Sequence, residues 1–267
     1  MPIVCIWEAA MKRFDVNCFS GHWPFHSTAH PGCDHLAAAH KAAGIEGGLI
    51  TSLQTVFYLD PLTAARELYQ QLPEGYGQVF AVNPELPDAA QLCVDAFENY
   101  AVKGIRLVPT FHNFSWEGKG TQAVLSAAEK LSLPLFITLN LEDPRVDYMV
   151  MQTTLDMARL SGVLKDLPDV PVIVTHGYWG NLSGLSSAIS SRKNTFADIS
   201  GLNAPLTALD QAADLLGCEH LMFGSGAHLH ALSCAVQNML HNALTEKQQQ
   251  MIWYDNAANI FGFDGGI

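Results

Sequence analysis

Residues 78–108 read QVFAVNPELPDAAQLCVDAFENYAVKGIRLV, and the reading of this stretch decides the fold. Gln78 to Val82 is a short run of the apolar and β-branched residues that fit a buried pleated surface, and Gly104 to Val108 has the same character. Between them Pro87-Asp88 gives the start signal of a helical stretch that reaches Tyr100. A strand, a helix and a second strand with no hairpin turn make a parallel βα unit.

Working outward, the unit recurs on both sides. Phe14 to Phe19, Ile45 to Thr51, Leu135 to Leu139, Val170 to Thr175, Thr195 to Ile199 and His220 to Phe223 bring the strand candidates to eight. Gly44 closes a helix over Asp34 to Ala43, and Asp60-Pro61 supplies an N-cap and first helical residue. Successive strands start roughly 25 to 35 residues apart, the size of one βα unit. Eight such units predict an α/β fold, a (β/α)8 TIM barrel, over a single domain spanning 1–267. An extra C-terminal helix follows Leu229 to Leu240, over Thr245 to Phe261, opened by the capping-box pattern Thr245-x-x-Gln248 and packing beyond the barrel ring. The competing doubly wound sheet carries a Gly-rich phosphate loop after its first strand. Here that position reads Ser20-Gly21-His22-Trp23-Pro24-Phe25, which favours the barrel.

Composition narrows the function classes. The chain has 26 acidic against 14 basic residues and a formal charge of -12. Its basic residues occur only as isolated pairs such as Lys12-Arg13 and Arg192-Lys193, so a nucleic-acid partner is excluded. No apolar run approaches the roughly 18 residues of a membrane helix. Met1 to Glu8 lacks the basic start and long apolar core of a secretion signal, which reads as a cytoplasmic protein with no membrane partner. Six cysteines without a Cys-x-x-Cys read as free thiols. Charged residues make up 15% and hydrophobic ones 49%, a balance that points to extensive burial and to a homo-oligomer.

In such a barrel, chemistry collects at the C-terminal strand ends. Strand one leads to Asn17, Cys18, His22 and His26; strand four to Arg106, His112 and Trp116; strand five to Asn140, Asp143 and Arg145. Strand six ends at His176, strand seven at Asp198 and Ser200, and strand eight at Ser225, His228 and His230. An imidazole at His176 can serve as acid or base. Arg106 either clamps a substrate carboxylate or pairs with Asp15 or Asp198, and alternation along the strand leaves both open. His112 stands in an aromatic loop with Phe111, Phe114 and Trp116, the composition of a pocket wall. The spacing of His22, His26 and His30 looks like a helical ladder of metal ligands, but Pro24 and Pro31 break that helix, so His22 or His26 reads as lining a ligand pocket. His35 and His40 read as a solvated helix surface. Cys18, alternating with Asn17 and Phe19, points away from the face those two share.

The chain resembles the amidohydrolase-related (amidohydrolase 2 type) metal-dependent hydrolases. Carrying the resemblance, in order, are Asp15-Val16-Asn17, Gly104-Ile105-Arg106-Leu107, Val172-Ile173-Val174-Thr175-His176-Gly177, Phe223-Gly224-Ser225 and Asn256-Ala257-Ala258-Asn259-Ile260-Phe261. The resemblance implies one divalent metal held by a His-x-His of strand one, a His of strand five and an Asp of strand eight, activating water against a carbonyl or assisting decarboxylation. Here those slots hold Asn17 and Phe19, Asn140 or Thr138, and Gly226, while His176 matches the strand-six histidine. Phe and Gly offer no donor, so the sequence predicts no usual metal centre and no cofactor. Zinc or manganese would enter through a relocated site of His112, His176 and His228 or His230. The resulting expectation is a hydrolase acting on a small-molecule carbonyl or carboxylate substrate by ester, lactone or amide hydrolysis, with decarboxylation second. His176 would act as acid or base, and Arg106, His112, Asn17 and His22 would bind substrate. The alternative is a catalytically degenerate barrel that binds a small ligand or a partner protein.

Overall fold

The computed structural model describes residues 11–28, 31–142 and 153–262. Cys5, His30, Asp143 and Arg145 lie outside the described residues. All eight apolar runs form strands: β1 (Phe14–Ser20), β2 (Gly47–Ser52), β3 (Tyr76–Ala81), β4 (Val102–Leu107), β5 (Leu135–Thr138), β6 (Val172–Thr175), β7 (Thr195–Asp198) and β8 (Leu221–Met222). They pair in parallel and in sequence order, β1 through β8. Backbone bonds across the β8–β1 seam nearly close the ring: Val16 N–H donates to the Phe223 carbonyl (2.9 Å), Gly226 N–H to Asn17 (2.8 Å) and Phe19 N–H to Ala227.

Helices alternate with the strands: α1 (Cys33–Ala42), α2 (Pro61–Tyr69), α3 (Ala89–Asn99), a one-turn α4 (Pro109–His112), α5 (Lys119–Leu131), α6 (Met157–Asp166), α7 (Trp179–Ser190), α8 (Ala208–Leu216) and α9 (Leu232–Leu240). The expected cap of α2 forms, with the Asp60 carboxylate accepting from Leu62 N–H (3.2 Å) and Pro61 in the first turn. The tail opens with the capping box of Thr245 and Gln248 and runs as α10 (Glu246–Gln250), a π-helical turn (Met251–Asp255) and α11 (Asn256–Phe261). It lies under the lower end of the ring. Ala257, with Tyr254, Ile260 and Phe261, packs on a layer of inward residues: Phe14, Val16, Leu49, Val79, Phe136, Ile173, Phe196 and Met222. Asn256 fixes the position by donating to the carbonyls of Cys218 (2.8 Å) and Leu221 (2.7 Å). The lower end is thereby sealed with apolar side chains, and chemistry is left to the upper end.

Strand β1 departs from simple alternation. Its register to β2 shifts between Asp15 and Cys18, a β-bulge that turns both Val16 and Asn17 inward. Asp15 and Cys18 consequently face outward, toward α1. Asp15 supports the bulge by accepting from Asn17 N–H (2.9 Å) and Ser225 N–H (3.1 Å). One expectation is corrected here: His40 is not on a solvated surface but fully buried. It falls on the same face of α1 as Cys33 and Leu36, and polar partners across the interface, Asp15 and Tyr76, make its burial tolerable. His35 is exposed, as the helix period requires. The five described cysteines are free thiols. Among the described residues no helix is long and apolar enough to cross a membrane.

Candidate active site

Two residues above the apolar layer, the same strands change character. Asn17, Thr51, Arg106, Thr138, Thr175 and Asp198 form a buried polar belt. At its centre lies Arg106. Its Nη1 donates to Thr138 Oγ1 (2.9 Å) and approaches Thr175 Oγ1 (3.4 Å), and its Nη2 donates to Asn17 Oδ1 (2.8 Å). The guanidinium carbon stands 4.9 Å from the ring centre of Phe19 and 5.3 Å from that of Phe136. Nε has no hydrogen-bond partner. Of the two readings left open for Arg106, neither direct pairing with Asp15 nor with Asp198 forms. The side chain points inward and reaches Asp198 through Asn17, whose amide donates to Asp198 Oδ2 (2.6 Å).

Asp198, placed by the sequence at the end of strand seven but given no catalytic or binding role there, closes that strand on the inward face. Ser200 Oγ (2.9 Å) and the backbone N–H of His176 (3.0 Å) also donate to it. Gly224 makes the room: a Cβ there would stand 2.4 Å from Asp198 Oδ2 and 2.9 Å from Asn17 Cβ. Burial pushes the Asp198 carboxyl up to about 7 against the pull of the Ser200, Asn17 and His176 hydrogen bonds and of Arg106. Burial in turn draws the Arg106 guanidinium down to about 10.

His176 adopts a left-handed backbone, φ 55°. A strand side chain and a loop side chain hold it there: Asp198 of β7 accepts from its N–H, and Asn140, just after β5, donates to its carbonyl (2.9 Å). The ring is buried, edge-on to Phe19 with centroids 5.4 Å apart, and 4.9 Å from the ring of His230. Neither ring nitrogen has a hydrogen-bond partner. Burial, with His230 and Arg106 as neighbouring positive charges, holds this imidazole well below its ordinary range, so it is neutral at pH 7.

An apolar cover closes over the belt, built from Phe19, Trp23, Leu53, Val56, Val108 and Leu141 with Phe25 and Phe111 against them. His112 belongs to this cover. Its Nε2 meets the Val56 carbonyl at 2.8 Å, and burial lowers its affinity for a proton. The other predicted binding residues separate: Asn17 sits in the belt, whereas His22 is exposed in the loop after β1, on a groove with Pro31, Gln54 and Gln71. Proline places residues 21–28 in a loop, as expected, and His26 Nδ1 meets Glu142 Oε1 at 2.9 Å, with Trp23 donating to the same oxygen. Together His26, His35, His228 and His230 line a cavity of about 460 Å³ beside the belt.

The divalent metal that the resemblance implies does not fit these residues. The Arg106 guanidinium rests against Asn17, Phe19 and Thr138, three of the places where ligands would stand, and a fixed positive charge there repels a second one. At Gly226 there is no donor, and the His176 ring already fills the space: a Cβ would come within 3.1 Å of its Cε1 and Nε2. The relocated site is not assembled either. His176 and His230 are neighbours, but His112 is bound to Val56. Among the described residues, the one group of three donors close enough to share an ion is Asp15, Cys18 and His40, on the outer side of β1.

A family model described as amidohydrolase matches residues 37–263, and the chain belongs to that family. No curated protein matches it. Solved structures share its fold. The 5-carboxyvanillate decarboxylase of Sphingomonas paucimobilis superposes with a TM-score of 0.71 at 13% identity, covering 95% of this chain and 99% of that one. A dihydroxybenzoic acid decarboxylase of Polaromonas sp. JS666, with bound manganese and the inhibitor 2-nitroresorcinol, gives 0.73 at 14%, covering 95% and 98%. A candidate 2-pyrone-4,6-dicarboxylic acid hydrolase of Pseudomonas putida gives 0.70 at 13%, again covering 95% and 98%.

Proposed function

We propose that this amidohydrolase-family barrel hydrolyses a small ester, lactone or amide, using fixed side-chain charge at the place where a metal would stand. The supporting observation is the juxtaposition of three groups. They are a neutral His176 with both ring nitrogens unpartnered, an Asp198 carboxyl that titrates near neutrality, and the buried Arg106 cation. Neutral His176 accepts a proton from water as the water oxygen bonds to the substrate carbonyl carbon. Negative charge gathers on the carbonyl oxygen, and the Arg106 Nε–H is the donor left to meet it. Asp198, whose carboxyl burial pushes up to about 7, gives its proton to the leaving oxygen or nitrogen. Asn17 positions both Arg106 and Asp198. His112 acts through the cover, by shaping the wall above the belt.

Decarboxylation uses the same groups, with the proton of Asp198 replacing the departing carbon dioxide; decarboxylases among the similar structures support it as the second reaction. The apolar cover supports a reading from another class, a degenerate barrel that holds a ligand without turning it over. A panel of esters, lactones, amides and aromatic carboxylates, assayed after chelator treatment, separates these readings. Hydrolysis that falls about a hundredfold or more in His176→Ala supports acid/base catalysis. Unchanged turnover in that variant removes the mechanism. A compound that raises the melting temperature without being consumed moves the assignment to binding.

A further inference from the structure

We propose that Asp15, Cys18 and His40 form a zinc-class metal site in the outer wall of the barrel, between β1 and α1, separate from the polar belt. One donor atom from each of the three lies within 4.8 Å of the others, and all three side chains are fully buried. The donor set, one carboxylate oxygen, one imidazole nitrogen and one sulfur, is that of a borderline-soft divalent ion.

The two hard donors are already posed for an ion. Asp15 Oδ2 and His40 Nε2 face each other at 3.2 Å, within ion-pair distance, and neither atom makes a hydrogen bond to any other group. Two ligands of a tetrahedral zinc at about 2.1 Å lie roughly 3.4 Å from each other, so little movement would seat both. The other oxygen of Asp15 is tied down by the Asn17 and Ser225 amides, which aims Oδ2 at the site. The other nitrogen of His40, Nδ1, meets Tyr76 Oη at 3.0 Å with the two rings stacked. An outer partner of this kind fixes the orientation of a metal-binding imidazole.

Charge makes the same argument. A buried carboxylate is costly to hold unless something positive meets it, and the His40 imidazole beside Asp15 is positive only when protonated, whereas a divalent ion is always so. A divalent ion with one carboxylate and one thiolate is neutral as a unit, which suits a site with no exposure. The Cys18 Sγ now stands 3.2 Å from the Leu49 carbonyl, as a thiol donating to it. Burial and the Asp15 charge keep that thiol protonated well above its ordinary range, and metal binding would release the proton to solvent. The ion would clamp α1 to β1 directly behind the bulge that turns Asn17 into the belt.

The test uses untagged full-length protein, treated with chelator, equilibrated with zinc and dialysed into metal-free buffer before elemental analysis. One zinc per chain is expected in the wild type and in His176→Ala, and loss of that zinc in Cys18→Ser and His40→Asn. Retention in His176→Ala separates this site from any ion at the barrel mouth, so the outcome is independent of the proposed catalysis. Cobalt(II) loading of the wild type gives a second readout that needs no variant, a thiolate-to-cobalt charge-transfer band in the near ultraviolet. A wild type that retains no zinc, a cobalt spectrum without that band, or full zinc occupancy in both folded variants overturns the proposal.

Discussion

The lower and upper halves of the barrel interior are built from the same strands, two residues apart, and could hardly differ more. Leu49, Phe136, Ile173 and Phe196 line the lower layer, and Thr51, Thr138, Thr175 and Asp198 follow them on the same faces. Below, stability comes from area removed from water and from packing, which any well-shaped apolar side chain supplies. Above, every buried polar group depends on a particular neighbour, so the belt holds together as a network or not at all. The lower layer is the scaffold, and the belt is where the fold carries groups that a purely stable protein would not choose.

Four experiments break or sharpen that contrast. Phe136→Ala should be the most damaging, at about 5 kcal/mol of unfolding free energy in urea titrations. It opens a cavity in the sealed layer and strips a ring from under Arg106. An equal effect from Thr138→Ala would erase the distinction between the halves. The second experiment is a pH series. Asp198 titrates at about 7 in the folded chain against 3.8 unfolded, so the native state holds this proton more tightly. Its contribution to stability is complete below about pH 4, declines as pH rises, and is gone above about pH 7. A gap of about 3 pH units makes the decline about 4 kcal/mol, and Asp198→Asn should flatten it. Third, Arg106→Met should lower stability by about 3 kcal/mol at pH 8, where Asp198 is charged and loses its nearby cation. At pH 5, where the carboxyl is protonated, the loss should be clearly smaller. A pH-independent loss would mean that Arg106 acts by packing alone. Last, Thr245→Ala should cost about 1 kcal/mol through the lost cap of the sealing tail, with turnover unchanged.

How much of this was legible in the sequence follows the same division. The positions of the eight strands, the Asp60 and Thr245 caps and the outward turn of Cys18 depend on short-range rules, and the structure carries all of them. The family resemblance, likewise, rests on strand-end segments that the fold places in order. What escaped depends on partners far away in the chain. Burial pushes the Asp198 carboxyl up to about 7 in the tight space that Gly224 leaves, against the pull of the Asn17 hydrogen bond, and nothing within strand seven announces this. His40 reads as a surface residue until Asp15 and Tyr76 arrive beside it. His22 and His112 were grouped with Asn17 by loop position, but loop paths separate them, one to the surface and one to the Val56 carbonyl. The bulge in β1 is the plainest case. One extra residue puts Val16 in the lower layer and Asn17 in the belt, a step that strict alternation forbids.

The seam between β8 and β1 joins the strands of the ring that lie farthest apart in sequence. Asp15 and Ser225 meet at a sequence separation of 210, so closing this seam costs more loop-closure entropy than pairing any two successive strands. Until β8 is made, β1 and β7 are open strand edges, the surfaces through which unfinished sheets join other copies of themselves. A chain that stops between α8 and β8 therefore leaves both edges exposed. The tail that seals the lower layer lies beyond β8 in sequence, so such a chain lacks that seal as well.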